Sequence, residues 1–333
     1  MVNIKFIIKR AVYYIVIFFS ALTIDFVLPR LAPGDPAEVV LGEITRGGEV
    51  VAPGELNALK LEMGISNKPI YIQYYLYIIH IFKGQFGLSL IYYPTPVTTI
   101  ISYTLPWTLF LVITATVVSF FIGNKLGMMA AIKRAKPRDY FIMMITMFFY
   151  GIPAMSLGLL LIYIFPIRLG IFPEFGNYSS SFNGIVFSLP FIASVLYHAI
   201  LPILTIVLTS MAGWVIGMRN NFIPQINDDY INFYRSMGVT EKRIRKAAYK
   251  NAFLPNLTGF AMALGFSVTG VIIIEEIFSY PGVGYYLFEA VTSLDYPLLE
   301  GLFLIIVIAV LVANLTVEII YSFIDPRVNR EGR

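Results

Sequence analysis

The sequence predicts an all-α integral membrane protein with six transmembrane helices, and three observations carry that expectation. The chain is 58% hydrophobic and 13% charged, with a mean hydropathy of +0.76, far outside the range of soluble domains. Six apolar runs each reach the ~20 residues that cross about 30 Å of hydrocarbon. Lys and Arg are shared unequally among the segments joining those runs, as a multi-pass protein with a fixed orientation requires.

The first span is residues 1–28. Lys5, Lys9 and Arg10 precede an apolar run from Ala11, and no small-residue cleavage site follows, so it reads as a retained helix rather than a signal peptide. Its end is expected in Leu28-Pro29-Arg30-Leu31-Ala32-Pro33-Gly34-Asp35-Pro36, where prolines and a glycine break helices. Residues 29–104 form an extracytoplasmic region. Within it Glu55 to Met63 reads as a short helix, Pro69 to Ile81 as an aromatic amphipathic helix, and Gly84-Gln85-Phe86-Gly87-Leu88-Ser89 as a turn. Tyr71, Tyr74, Tyr75 and Tyr77 suit the bilayer interface, where a phenol keeps its hydroxyl wet. A platform on which substrate stacks is the alternative.

The second span is 105–132 and the third is 140–165, interrupted at Gly151 and Pro153. Ile185 to Tyr197 is too short for an independent crossing and is expected at the outer interface, ahead of the fourth span at 198–218. Residues 229–253 form a cytoplasmic hairpin, and seven of the 24 Lys and Arg lie between Arg219 and Lys250. Gly238 separates its two short helices. Thr240 is placed to cap the second, with Glu241 in the first turn, where a negative charge suits the helix dipole. Ile244, Ala247, Ala248 and Ala252 recur at helical spacing, which makes the hairpin amphipathic. The fifth span is 254–274 and the sixth is 298–321. With the N-terminus inside, seventeen Lys and Arg fall on inner segments, six on outer ones, and Lys125 lies within a span. Both termini are therefore placed in the cytoplasm.

The chain holds no recognisable catalytic constellation. It has no cysteine, and His80 and His198 stand far apart, so no metal site is expected. The pI near 9.0 does not point to nucleic acid, because the basic residues gather at membrane edges. Gly265-Phe266-Ser267-Val268-Thr269-Gly270 misses the nucleophile-elbow spacing by one residue and reads as close helix packing. No Gly-x-x-x-x-Gly-Lys-[Ser/Thr] loop occurs, so the chain cannot cradle a nucleotide in that manner. The charges within spans, Asp25, Lys125 and Glu318, lie near boundaries, where structural roles and snorkelling account for them.

Tyr234-Arg235-Ser236-Met237-Gly238, with Pro255 seventeen residues beyond the glycine in Asn251-Ala252-Phe253-Leu254-Pro255, resembles the cytoplasmic loop of ABC importer permeases. The branch it resembles is the oligopeptide/dipeptide, binding-protein-dependent one. The Leu28–Pro36 and Gly84–Ser89 elements are similar to that branch, with Gln85 replacing an aspartate. So are Glu275-Glu276-Ile277-Phe278-Ser279-Tyr280-Pro281-Gly282-Val283-Gly284 and Asp325-Pro326-Arg327. Tyr234, Ser236 and Met237 depart from the usual loop wording, and Lys125 stands where a proline is common.

The resemblance implies a type I ABC importer permease spanning residues 1–333 as one membrane domain. Tyr234, Arg235, Gly238, Glu241, Arg243, Ile244, Asn251 and Pro255 would couple it to an ATPase. Glu275, Phe278, Ser279, Pro281, Gly282 and Gly284 would shape or line the mouth of the pathway. Implied partners are a second homologous permease subunit, two cytoplasmic ATPase subunits, an extracytoplasmic solute-binding protein and membrane lipid. No cofactor is expected in this chain, since the ATPases would bind ATP and Mg. The expected cargo is a short peptide, with an oligosaccharide second. A secondary transporter would need ionisable groups at a midplane site and inverted repeats, and a membrane enzyme would need a clustered nucleophile or metal set.

Overall fold

The computed structural model describes residues 4–31, 68–182 and 184–324. Among them every regular element is helical, with one isolated bridge between Leu88 and Pro96. In order the helices are α1 (Ile4–Leu31), α2 (Ile70–Phe82), α3 (Val97–Ile132), α4 (Pro137–Gly151) and α5 (Ala154–Ile162), the last prolonged by a π-helical turn, Tyr163–Arg168. There follow α6 (Leu189–Ile226), α7 (Asp229–Ser236), α8 (Glu241–Gly270), α9 (Ile272–Ile277), α10 (Val283–Thr292) and α11 (Tyr296–Ile324). The expected Glu55–Met63 helix, the Ala32–Pro36 part of the first loop and Asp325-Pro326-Arg327 lie outside the described residues.

Among the described residues four helical stretches are long and apolar enough to cross a membrane: Val12–Leu31, Val97–Ile132, Leu189–Ile226 and Tyr296–Leu315. The pair α4 and α5 qualifies together, bent by 96° where Gly151 and Pro153 were expected to interrupt the span. Ile152 takes extended angles there, as a residue before proline must, and Pro153 starts α5. The stretch from 254, expected as the fifth span, is the C-terminal part of α8.

Several boundaries differ from the sequence reading. α1 runs through Pro29 to Leu31, because Arg30 supplies the last turn with a donor, its guanidinium bonding the Phe26 carbonyl at 2.5 Å. α3 starts at Val97, ahead of the expected 105, since its polar first turns carry no hydropathy signal. Residues 189–197 are the first turns of α6 rather than a separate interfacial segment, with Ser188 accepting from the Phe191 N–H at 3.4 Å. The second arm of the hairpin is not short: it continues through Pro255 as one 30-residue helix.

The helices gather into two compact units. The first contains α1, α2, the start of α3, α10 and α11 as far as Val312. Its ties are polar. Tyr77 donates to Asp25 at 2.9 Å, and Arg30 pairs with Glu300 at 2.5 Å while lying over the Phe26 ring. The buried Asp295 accepts from the Ser89 hydroxyl at 2.5 Å and from the Leu90, Ile91 and Leu298 amides. Ser89, the last residue of the predicted turn, is thereby pinned to the start of α11.

The second unit runs from Leu109 to Tyr280 and takes in the end of α11. Gly123 and Gly127 let α3 approach α6 closely: a Cβ at Gly127 would sit 2.3 Å from the Val215 carbonyl, and one at Gly123 2.5 Å from Trp214 Cβ. Asp139, at the start of α4, is buried and accepts both Nε and NH2 of Arg219 from α6, at 2.8 and 2.7 Å. Lys125 is exposed on α3, as snorkelling requires.

Candidate functional site

The hairpin belongs to the second unit and is built on a small apolar core. Ile231 of α7 and Ile244, Ala248 and Ala252 of α8 are buried with Met218 and Phe222 of α6 and Ala131 of α3. Outside the membrane each fully buried isoleucine contributes about 1.5–3 kcal/mol, enough to hold both arms against the ends of α3 and α6. Asp228 caps α7, accepting from the Asp229 N–H at 2.7 Å. α7 ends in a Schellman motif: the Gly238 N–H bonds the Arg235 carbonyl at 3.0 Å and the Val239 N–H bonds that of Tyr234 at 3.1 Å. Gly238 has φ +73°, the left-handed conformation that glycine adopts without strain. Thr240 takes the extended angles of an N-cap but makes no side-chain capping bond, contrary to expectation. Its carbonyl accepts from Arg243 and Ile244 instead, as in any first helical turn.

The eight coupling candidates fall into distinct places. Tyr234, Arg235, Glu241 and Arg243 are exposed. Arg235 Nε lies 3.3 Å from Glu241, and Arg245 reaches the same carboxylate at 3.9 Å, so the exposed charges partly neutralise one another. Ile244 points into the core, and Gly238 sets the turn. Asn251 braces the two arms, its amide donating to the Tyr230 hydroxyl at 3.2 Å. Pro255 lies within α8 beside Asn256. Burial raises the pKa of the Tyr249 hydroxyl on the same helix, keeping it neutral.

Sequence reasoning missed the exposed apolar part of this surface. Phe233 is 61% exposed and Met237 64% exposed, one helical turn apart on α7. Two large apolar side chains presented on a braced hairpin form an exposed apolar patch of the kind that anchors protein interfaces. The signal was the i, i+4 spacing of Phe233 and Met237 opposite Ile231.

The second candidate set lies where the chain passes from one unit to the other. Glu275 and Phe278 are buried, and the Phe278 carbonyl accepts from the Gly176 N–H at 3.0 Å. Ser279 has φ 43°, with Tyr280 N–H bonding the Glu275 carbonyl at 2.7 Å, so α9 also ends in a left-handed cap. In the first unit Pro281 is half-buried, Gly282 and Gly284 are buried, and the Val283 N–H bonds Thr108 Oγ1 at 2.7 Å.

A family model described as the inner membrane component of binding-protein-dependent transport systems matches residues 123–330, and the model of its N-terminal part matches residues 3–112. The chain belongs to this family. It is a multi-pass membrane permease, a component of an ABC transport system rather than an enzyme in itself. This permease is 29% identical over 326 residues to the oligopeptide transport system permease protein AppB of Bacillus subtilis (strain 168), covering 97% of this chain and 98% of that one. To the glutathione transport system permease protein GsiC of Escherichia coli (strain K12) it is 29% identical over 325 residues, again covering 97% of this chain and 98% of the relative.

Proposed function

We propose that this permease imports short peptides by alternating access. It would pair with a second permease subunit of similar fold and receive cargo from an extracytoplasmic solute-binding protein. The α7–α8 hairpin would seat in a groove on one of two cytoplasmic ATPases, which bind ATP and Mg. The observation that carries this reading is the exposed Phe233 and Met237 pair on a hairpin whose inner face is locked by Ile231 and Ile244. Such a lever transmits movement only if its base is rigid and its tip is free to bind. The peptide class is supported by relatives named for oligopeptide and glutathione transport. Both termini would lie in the cytoplasm, a reading the distribution of Lys and Arg supports. The Glu275–Gly284 stretch would shape or line the mouth of the pathway, a reading supported by its left-handed Ser279 and by the turn at Pro281 and Gly282.

The test is reconstitution of the whole complex in proteoliposomes. Uptake of a labelled short peptide should require ATP, the ATPase subunits and the binding protein together. Phe233→Ala with Met237→Ala should lower ATPase co-purification by about tenfold or more, the range of lost central anchors. Uptake of gluco- or xylo-oligomers in place of peptides would overturn the substrate class. Uptake driven by an ion gradient without ATP would overturn the mechanism.

A further inference from the structure

Within the second unit an open-sided groove of about 370 Å3 runs among α3, α6 and α8. That volume falls in the range of small-molecule sites. α3 lends it the hydroxyls of Thr116 and Ser119, α6 lends Ser210, Gly213 and Trp214, and α8 lends Gly259. Ser210 is exposed and its hydroxyl donates to Ser119 Oγ at 3.2 Å. The Trp214 ring is held edge-on by Phe120, with centroids 5.2 Å apart, and by Phe260 at 6.4 Å. Asn256 closes one end, but its amide is committed to the fold. It donates to Asn124 Oδ1 and to the Trp214 carbonyl and accepts from Asn221. Among the described residues no ionisable side chain lines the groove. Gly213 faces open space, for a Cβ there would meet nothing within 4 Å.

We propose that this groove holds the backbone of an uncharged peptide segment during passage, a proposal that rests on the importer reading above. Serine and threonine hydroxyls both donate and accept, so they match the N–H and C=O of any peptide bond whatever side chain it carries. Trp214 offers a held apolar face for a side chain lying beside that backbone. The bare Gly213 backbone leaves room for it. A bare metal cation finds no carboxylate here, so the lining suits neutral hydrogen-bonding cargo. The absence of charge makes the groove tolerant of sequence, leaving selection among peptides to other components.

The test uses the full reconstituted complex with one binding protein throughout, and labelled trialanine and trilysine as probes. Gly213→Phe fills the groove and should lose most trialanine uptake while still co-purifying with the partner permease and ATPases. Ser210→Asp should raise the trilysine-to-trialanine uptake ratio roughly two- to fivefold, the range of one solvent-reached ion pair. Wild-type rates in Gly213→Phe, or an unchanged ratio in Ser210→Asp, would overturn the assignment. Loss of the partner permease from Gly213→Phe would overturn it too, by making the groove an assembly surface. A wild-type complex that takes up neither peptide would instead refute the peptide reading itself, and the groove assignment with it.

Discussion

Gly238 offers a direct way to separate the conformation of the hairpin from its docking. The residue ends α7 with φ +73° and carries both bonds of a Schellman turn around it. Among the described residues, its chain neighbours aside, no atom lies within 4 Å of a Cβ built there, so the methyl of Gly238→Ala meets no internal clash. The cost of Gly238→Ala is then backbone strain alone, about 1 kcal/mol for an L-residue held in the left-handed region. If the turn relaxes, ATPase affinity falls by about fivefold. Asparagine visits that region readily and should lose less, whereas β-branched valine should lose more. The expected order of damage is Gly238→Asn, Gly238→Ala, Gly238→Val, read as ATPase co-purification and peptide uptake at normal subunit abundance. Arg235→Ala should cost less than Gly238→Ala, since an exposed ion pair with Glu241 is worth about 0.2–1 kcal/mol. If Gly238→Asn proves as damaging as Gly238→Val, space in the partner's groove decides and the conformational argument is wrong. Full docking in Gly238→Val would remove the hairpin from the contact surface altogether.

Three further outcomes are expected. Asp139→Asn should lower the thermal midpoint of the purified complex by breaking a bidentate pair with one buried partner, worth about 1.5–3 kcal/mol, and adding Arg219→Gln should then cost little more. Equal and additive losses would show that the two residues act independently. Burial raises the pKa of Asp295 despite its four donors, so the folded protein takes up this proton before the unfolded chain does. The site therefore gains stability as pH falls toward the ordinary carboxylate range, and thermal midpoints of Asp295→Asn should lack that gain. An identical pH slope in the variant would refute this. A cysteine introduced at Tyr178 should react with an impermeant reagent from outside and one at Lys136 should not, an order whose reversal would overturn the assigned orientation.

Much of the architecture was legible because it follows from period and length. The apolar runs, the break at Gly151 and Pro153, the turn at Gly238 and the inward face of Ile244, Ala248 and Ala252 are local properties of the chain. The continuity of α8 was not legible. A proline announces its lost hydrogen bond in the sequence, but not that the Asn251 carbonyl it leaves unmatched belongs to an exposed residue, where water reduces the cost. The pair Asp139 and Arg219 joins residues eighty positions apart, beyond any local pattern. Gly123 and Gly127 did carry a signal, the small-xxx-small spacing of close-packed membrane helices. Phe233 and Met237 were visible as apolar residues, but which face of α7 met solvent depended on Ile231 finding Phe222 and Ile244.

The hairpin and the groove share one set of helices, and this bears on how the proposed cycle is transmitted. Ile244, Ala248 and Ala252 fix α8 to the ends of α3 and α6, and Asn256 and Gly259 carry the same helix on to the groove. From Ile244 to Gly259 the rise is roughly 22 Å, a distance over which an unbroken helix moves as a rod. Asn256 sits between the two places and ties α8 to α3 through Asn124 and to α6 through the Trp214 carbonyl. Gly217 accommodates that amide, since a Cβ there would lie 2.6 Å from Asn256 Oδ1. A push on Phe233 and Met237 would then tilt α8 about the Asn256 node instead of dissipating in the hairpin turn. The groove walls on α8 would shift against those on α3 and α6, so that an ATPase closing on the hairpin would change the width of the groove proposed to hold the cargo. Had Pro255 broken α8 into separate arms, as its sequence suggests, the turn would have absorbed the movement.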